Sequence, residues 1–303
     1  MKRASKRLST TVSVSTVLDK ATKSQKTTST RTAPDSALLV SKSTSKSSKT
    51  SPKMNFGSEK PVFIYFKGAG RATAARVALF NAFGENGWEN KMLPYQEFAD
   101  QKAIWQKSLD APNVINADGS KQIKDDETGD MKSVKNDYGG SLLQTPLGYL
   151  PQLHFGGKII TQSAAIARWA AGLGEKPLMP KDHFERLECE ECMMVCEEIL
   201  GKAPGDADNE KKLKLRAEYA EGPMKKGMTF IEAKLAANQG FAVGGKFTIA
   251  DVSIITVSDM VYSGDFDGIP PSYLDQFEEI SRHRATLPKK VTVLSEYRRI
   301  YPF

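Results

Sequence analysis

One run constrains the fold of this chain more than any other: Thr145-Pro-Leu-Gly-Tyr-Leu-Pro151-Gln-Leu153, then Thr161-Gln-Ser163-Ala-Ala-Ile-Ala-Arg-Trp169. Between the two, short apolar segments around Leu153-His-Phe155 and Lys158-Ile-Ile160 are joined by Gly156-Gly157. Apolar segments linked by a glycine pair predict a tight hairpin. Gln162-Ser163 then opens a helix, with Thr161 or Ser163 as the expected N-cap and Ala164, Ile166, Ala167 and Trp169 following. A polar pair at a helix start offers a hydroxyl, an amide and free backbone N–H groups, a set suited to a small carboxylate.

Upstream, Val62-Phe-Ile-Tyr65-Phe66 has the pattern of a buried strand. Lys67-Gly-Ala-Gly-Arg71 turns into a helix over 71–83 that carries Ala74, Ala75, Val77, Ala78, Leu79 and Phe80. A short strand is expected near 91–93 and a helix over 97–107. Residues 113–123 contain Asp118-Gly119, the turn of a hairpin. Residues 125–130 and 137–140 read as polar loop. Residues 172–180 carry the Gly and Pro punctuation of a linker. Beyond them, apolar residues recur at helical spacing over 184–200, 210–238, 249–262 and 273–301, which predicts an all-helical second domain. Thr248 and Asp251 have capping-box spacing ahead of the third of these helices.

The net charge of +7 belongs to one end of the chain. Residues 1–58 hold 12 Lys/Arg and 2 Asp/Glu, whereas the remainder holds 31 and 34. The basic character is therefore that of a Ser/Thr/Lys-rich tail, and it implies no nucleic-acid binding by the folded body. Such a tail is expected to be disordered, and its composition is also that of an organelle-targeting segment. No stretch has the length and apolarity of a membrane span. Cys189, Cys192 and Cys196 fall at i, i+3 and i+7 of one predicted helix. Without a second Cys/His segment nearby they do not make a zinc site, and core packing is expected of them. Three such thiols fit a reducing, cytoplasmic setting better than a disulfide framework.

Three of these motifs together resemble the glutathione S-transferases: the Pro-preceded strand, hairpin and Gln-Ser helix; the strand-to-helix turn of Tyr65-Phe66 and Gly70-Arg71-Ala72; and Asn238-Gln-Gly240-Phe-Ala-Val243-Gly-Gly245-Lys-Phe-Thr248-Ile-Ala-Asp251. The resemblance is closest to the tyrosine-type classes, sigma among them, and covers about 61–110 and 145–303. It implies a thioredoxin-like α/β domain over 59–173, with an insertion at 111–145, and an all-α bundle over 180–303.

By the same resemblance Tyr65 and Arg71 are the catalytic residues. Tyr65 would donate its hydroxyl hydrogen to the glutathione thiolate, with positive charge from Arg71 in support. Pro151 takes the family's cis-proline position, and Leu150 pairs its backbone with the cysteinyl part of glutathione. Gln162 and Ser163 take the γ-glutamyl carboxylate, Trp105 and Lys107 are placed near the glycyl carboxylate, and Glu190 or Glu191 of the partner subunit would face the ammonium. Two departures stand out: Ala69 replaces the first Arg of the family's Arg-Gly-Arg turn, and Thr73 stands where Glu is common. Met193, Met194, Met260 and Tyr262 are candidates for an apolar second-substrate wall. The implied activity is conjugation of glutathione, as co-substrate, to small hydrophobic electrophiles, or isomerisation of a lipid-like substrate, by a homodimer without metal or other cofactor. A non-enzymatic protein on the same scaffold is the rival reading.

Overall fold

Aromatic and β-branched side chains favour extended backbone, and Val62-Phe-Ile-Tyr-Phe66 forms strand β1 (Val62–Phe66) at the centre of the sheet half. The computed structural model describes residues 59–110, 121–124, 127–134, 141–145 and 147–302. The basic tail and the expected Asp118-Gly119 turn lie outside them. β1 pairs in parallel with β2 (Glu89–Leu93), Tyr65 standing opposite Met92. On its other side β1 runs antiparallel to β5 (Gln152–Phe155), which pairs with β6 (Lys158–Thr161). The order is therefore β2-β1-β5-β6. Gly156 and Gly157 both have positive φ, 59° and 67°, which the tight β5–β6 turn requires and other residues resist. A separate antiparallel pair, β3 (Lys121–Lys124) and β4 (Met131–Val134), lies within the insertion. Gly129, at φ 74°, lies in the segment that joins them, so that turn falls in a stretch read as loop.

Helices α1 (Ala72–Phe83) and α3 (Ser163–Ala171) belong to the sheet half, and α2 (Tyr95–Asp110) follows β2. The N-cap of α3 is Gln162 rather than Thr161 or Ser163, with φ 76° and no side-chain cap bond. Residues 172–182 then lead into the helical half. This linker is pinned at its middle: the Ile249 N–H donates to the Leu178 carbonyl at 3.0 Å.

The helical half starts with α4 (His183–Gly201), capped by Asp182, whose carboxylate accepts from the Phe184 and Glu185 N–H groups at 2.9 and 3.0 Å. The helix expected over 210–238 is three pieces. α5 (Asn209–Tyr219) and α6 (Lys225–Ala237) flank one wide π-turn, Ala220–Met224. Pro223 sits in that turn, where its missing N–H and its ring forbid the regular ladder. α7 (Ile249–Ser263) is buried along nearly its whole length. The helix expected over 273–301 likewise divides, into a 3₁₀ turn (Pro271–Gln276), α8 (Glu278–Lys290) and α9 (Thr292–Ile300). Val291 is extended at the last break, one residue after the α8 turn that contains Pro288. The two halves share one core: α1 contributes Val77, Leu79 and Phe80 to the cluster that includes Ile254 and Val257 of α7 and Tyr297 of α9. Among the described residues no helix is long and apolar enough to cross a membrane.

Candidate functional site

Tyr65 is half-buried, near the end of β1, and the chain then turns through Lys67–Arg71 into α1. Its hydroxyl lies over the turn. A Cβ added at Gly70, itself at φ 50°, would stand 3.4 Å from that oxygen, and the Arg71 backbone N–H donates to it. Burial pushes the phenol pKa above its ordinary value, and the Glu197 carboxylate adds to the rise. The charges of Arg71 and Arg76 and the Arg71 N–H oppose it. The balance keeps the hydroxyl protonated at neutral pH, so Tyr65 is a hydrogen-bond donor.

The Tyr65 turn is held from below by Arg76, which is fully buried. Its guanidinium donates to the Phe66 carbonyl at 2.9 Å, to the Gly68 carbonyl, and to Asn90 Oδ1 on β2 at 3.0 Å. It also lies 5.5 Å from the centroid of the Tyr65 ring. One side chain thus ties the Tyr65 turn to two strands and places a positive charge under the phenol.

Facing Tyr65 across the turn, Arg71 is the N-cap residue of α1, and its Nη1 lies 3.5 Å from Glu197 Oε2 on α4. Glu197 Oε1 accepts the Ser163 hydroxyl at 3.0 Å. The structure therefore joins Arg71 and Ser163, one from each end of the sequence pattern, through a carboxylate that the sequence reading did not select. Glu190 and Glu191, expected to act across a subunit boundary, pair within their own chain with Arg168 at 3.7 Å and with Lys234 at 3.2 Å. Glu197 lies two helical turns beyond Glu190, on the same face of α4, which is the signal that would have found it.

The Leu150–Pro151 peptide bond is cis. Pro151 is buried and Leu150 half-buried at the entry to β5. Gln162 is exposed in its positive-φ position, and Ser163 is buried at the first residue of α3. Trp105 is also buried, and its only donor, Nε1–H, is used on the Thr145 carbonyl at 2.9 Å. Its ring lies against Gly148, where a Cβ would meet it at 2.4 Å. Lys107 is exposed on α2. Two positions apart on a helix point about 200° apart, so the structure does not bring Trp105 and Lys107 together on one ligand group.

Beside Tyr65 opens a cavity of about 220 Å³ lined by Gly70, Arg71, Leu200, Ala203, Arg216, Met260, Phe266 and the two carboxylates Asp265 and Asp267. Of the four side chains expected to form an apolar wall, only Met260 lines it. Met193 is in the core, and Met194 and Tyr262 are exposed. Cys189, Cys192 and Cys196 are free and buried, and burial pushes the first two thiols up to about 11 and about 12 and the third well above its ordinary value. They carry no thiolate at neutral pH. Among the described residues no group of His, Cys, Asp or Glu is arranged to hold a metal ion.

This architecture is the glutathione transferase fold, a four-stranded mixed sheet with its helices followed by a helical bundle. Residues 197–293 match the family model described as "Glutathione S-transferase, C-terminal domain". Among solved structures, prostaglandin synthase D of Nilaparvata lugens superposes with a TM-score of 0.57 at 16% identity, covering 80% of this chain and 98% of that one. The Fasciola hepatica sigma class GST gives 0.57 at 18% identity over 81% and 98%. Monomeric Na-GST-3 of Necator americanus gives 0.52 at 20% identity over 81% and 98%. No curated protein sequence matches the chain.

Proposed function

We propose that the protein is a tyrosine-type, sigma-like glutathione transferase, which conjugates the thiolate of glutathione to small electrophiles. The observation that carries this reading is the Tyr65 hydroxyl: a neutral donor, held beside two arginine charges and opening onto a partly apolar cavity. A free thiol of the cysteine kind has a pKa near 8.5, so only a few per cent of it is nucleophilic at pH 7. A hydrogen bond from Tyr65 to the ionised sulfur, reinforced by Arg71 and Arg76, lowers that pKa and supplies thiolate at the mouth of the cavity. The γ-glutamyl carboxylate is received at the start of α3 by Ser163 and Gln162. Glu197 holds Arg71 in place and offers a carboxylate to the adjacent ammonium. Leu150, fixed ahead of Pro151, presents its backbone to the cysteinyl part.

The chain is proposed to act as a homodimer in the cytoplasm. The exposed apolar side chains of α4 support the first statement and the unpaired, buried cysteines the second.

The test is Tyr65→Phe, which removes the donor and keeps the ring. Loss of a hydrogen bond to a charged group costs about 1.5–3 kcal/mol, so conjugation at pH 7 should fall roughly ten- to a hundredfold. The pKa of bound glutathione, read from thiolate absorbance against pH, should rise, and the rate deficit should narrow as pH climbs. Parent rates in the Phe variant across neutral pH would remove Tyr65 from the mechanism.

A further inference from the structure

The cavity that faces Tyr65 is small, and its positive charges are all engaged. At about 220 Å³ it is somewhat larger than the roughly 150 Å³ in which a benzene ring fits, and smaller than the usual range for drug-sized ligands. A substituted ring fits it.

The charges are equally restrictive. Arg71 faces Glu197 at 3.5 Å. Arg216 is locked in the wall. Its Nε donates to the Pro204 carbonyl at 3.0 Å, its Nη1 donates to the Asp267 carbonyl at 2.9 Å and lies 3.8 Å from the Asp267 carboxylate, and its plane covers Phe266. Asp267 is held by a second cation too, Lys212 at 3.1 Å. Asp265 differs. Its carboxylate accepts the Ser263 hydroxyl at 2.7 Å, and among the described residues no cation pairs with it.

Every cation lining the cavity thus has a carboxylate partner, while one exposed carboxylate has no cation. An incoming carboxylate would lose water without gaining a counter-charge, and would approach both Asp265 and the thiolate. An uncharged ring meets Leu200, Ala203, Met260 and Phe266, and a cationic group gains Asp265. We propose that the second substrate is a compact, uncharged or cationic electrophile, and that Asp265 selects against electrophiles bearing a carboxylate. This rests on the transferase reading above and separates it from isomerisation of a long carboxylate lipid.

The experiment uses the full chain and three product-like probes: S-benzylglutathione, its 4-carboxybenzyl counterpart and its 4-trimethylammonium counterpart. Binding is measured by calorimetry at low and physiological salt. The carboxylate probe should bind at least fivefold more weakly than the benzyl probe at low salt, and the cationic probe at least as tightly. Salt should shrink both differences. In Asp265→Asn, an exposed substitution, the ratio of benzyl to carboxybenzyl affinity should fall at least twofold. Equal binding of the three probes, or an unchanged ratio in the Asn variant, overturns the proposal while leaving the transferase reading intact. Failure of glutathione and S-benzylglutathione alike to bind overturns that reading, and this proposal with it.

Discussion

Asp251 satisfies four polar groups in the middle of the helical half. One carboxylate oxygen accepts the Thr248 N–H at 2.7 Å and the Thr248 hydroxyl at 3.0 Å. The other accepts the Ala242 N–H at 2.8 Å and lies 3.1 Å from His283 Nε2. Its side chain is fully buried, so Asp251→Ala strands two backbone donors without water. The expected cost is about 3–5 kcal/mol, the range for breaking a buried charged network, and the melting temperature should fall by roughly 10 °C. Glutathione affinity, measured below the transition, should be nearly unchanged, since none of these atoms lies in the Tyr65 cluster. Abolished binding with an unshifted melting curve would show that Asp251 belongs to the site instead. Thr248 and Asp251 are readable in the sequence because a capping box is local, its partners three residues apart. Arg76 and Glu197 are not local in this sense. Their partners Asn90, Arg71 and Ser163 come together only once β2, α1, α3 and α4 have packed, and Arg76 gave one signal alone, a charge inside an apolar helical run.

Elements were legible where a strong local pattern met a short length. The β5–β6 hairpin was set by two glycines and α7 by its cap, whereas β1 is a continuous apolar run and α1 an apolar, alanine-rich run buried from Ala74 to Phe80. Helix lengths were less so: the periodicity continues through Ala220–Met224 and across Val291, and backbone geometry at Pro223 and Val291 decides where a helix stops.

The packing of α2 bears on the role of Trp105. The Trp105 indole is spent on Thr145 and on Gly148, whose φ of 56° leaves no room for a Cβ against the ring. This packing holds the segment that leads into Leu150 and Pro151, and Trp105 is proposed to act by positioning it. Trp105→Phe should weaken glutathione binding about threefold to tenfold, the worth of one hydrogen bond of about 1 kcal/mol with some lost packing. It should weaken γ-glutamylcysteine, which lacks the glycyl carboxylate, by the same factor. A loss confined to glutathione would mean that the indole meets that carboxylate directly.

At the scale of the whole molecule, the cluster of Tyr65, Arg71, Ser163 and Glu197 lies within one chain, and α4, which supplies Glu197, also carries exposed apolar side chains. On α4, Phe184, Leu187 and Met194 are 71%, 62% and 40% exposed and share an arc of about 80° with the exposed carboxylates of Glu191 and Glu198. Ile160, on the edge strand β6, is 44% exposed. Large apolar side chains ringed by charge are costly to leave in water and have the composition of a protein–protein surface. A second copy of the chain is the proposed occupant. Sedimentation at micromolar concentration should give twice the chain mass of 33.3 kDa for the native protein. The double variant Phe184→Glu with Leu187→Glu should sediment at half that value, because each charge would have to be buried without a partner. Because no residue of the Tyr65 cluster is substituted, the monomeric variant should still bind immobilised glutathione and retain the tyrosine-dependent pH profile of conjugation. A native protein that sediments as a monomer would show that the α4 face serves another partner. A dissociated variant that no longer binds glutathione would show that the neighbouring copy completes the site.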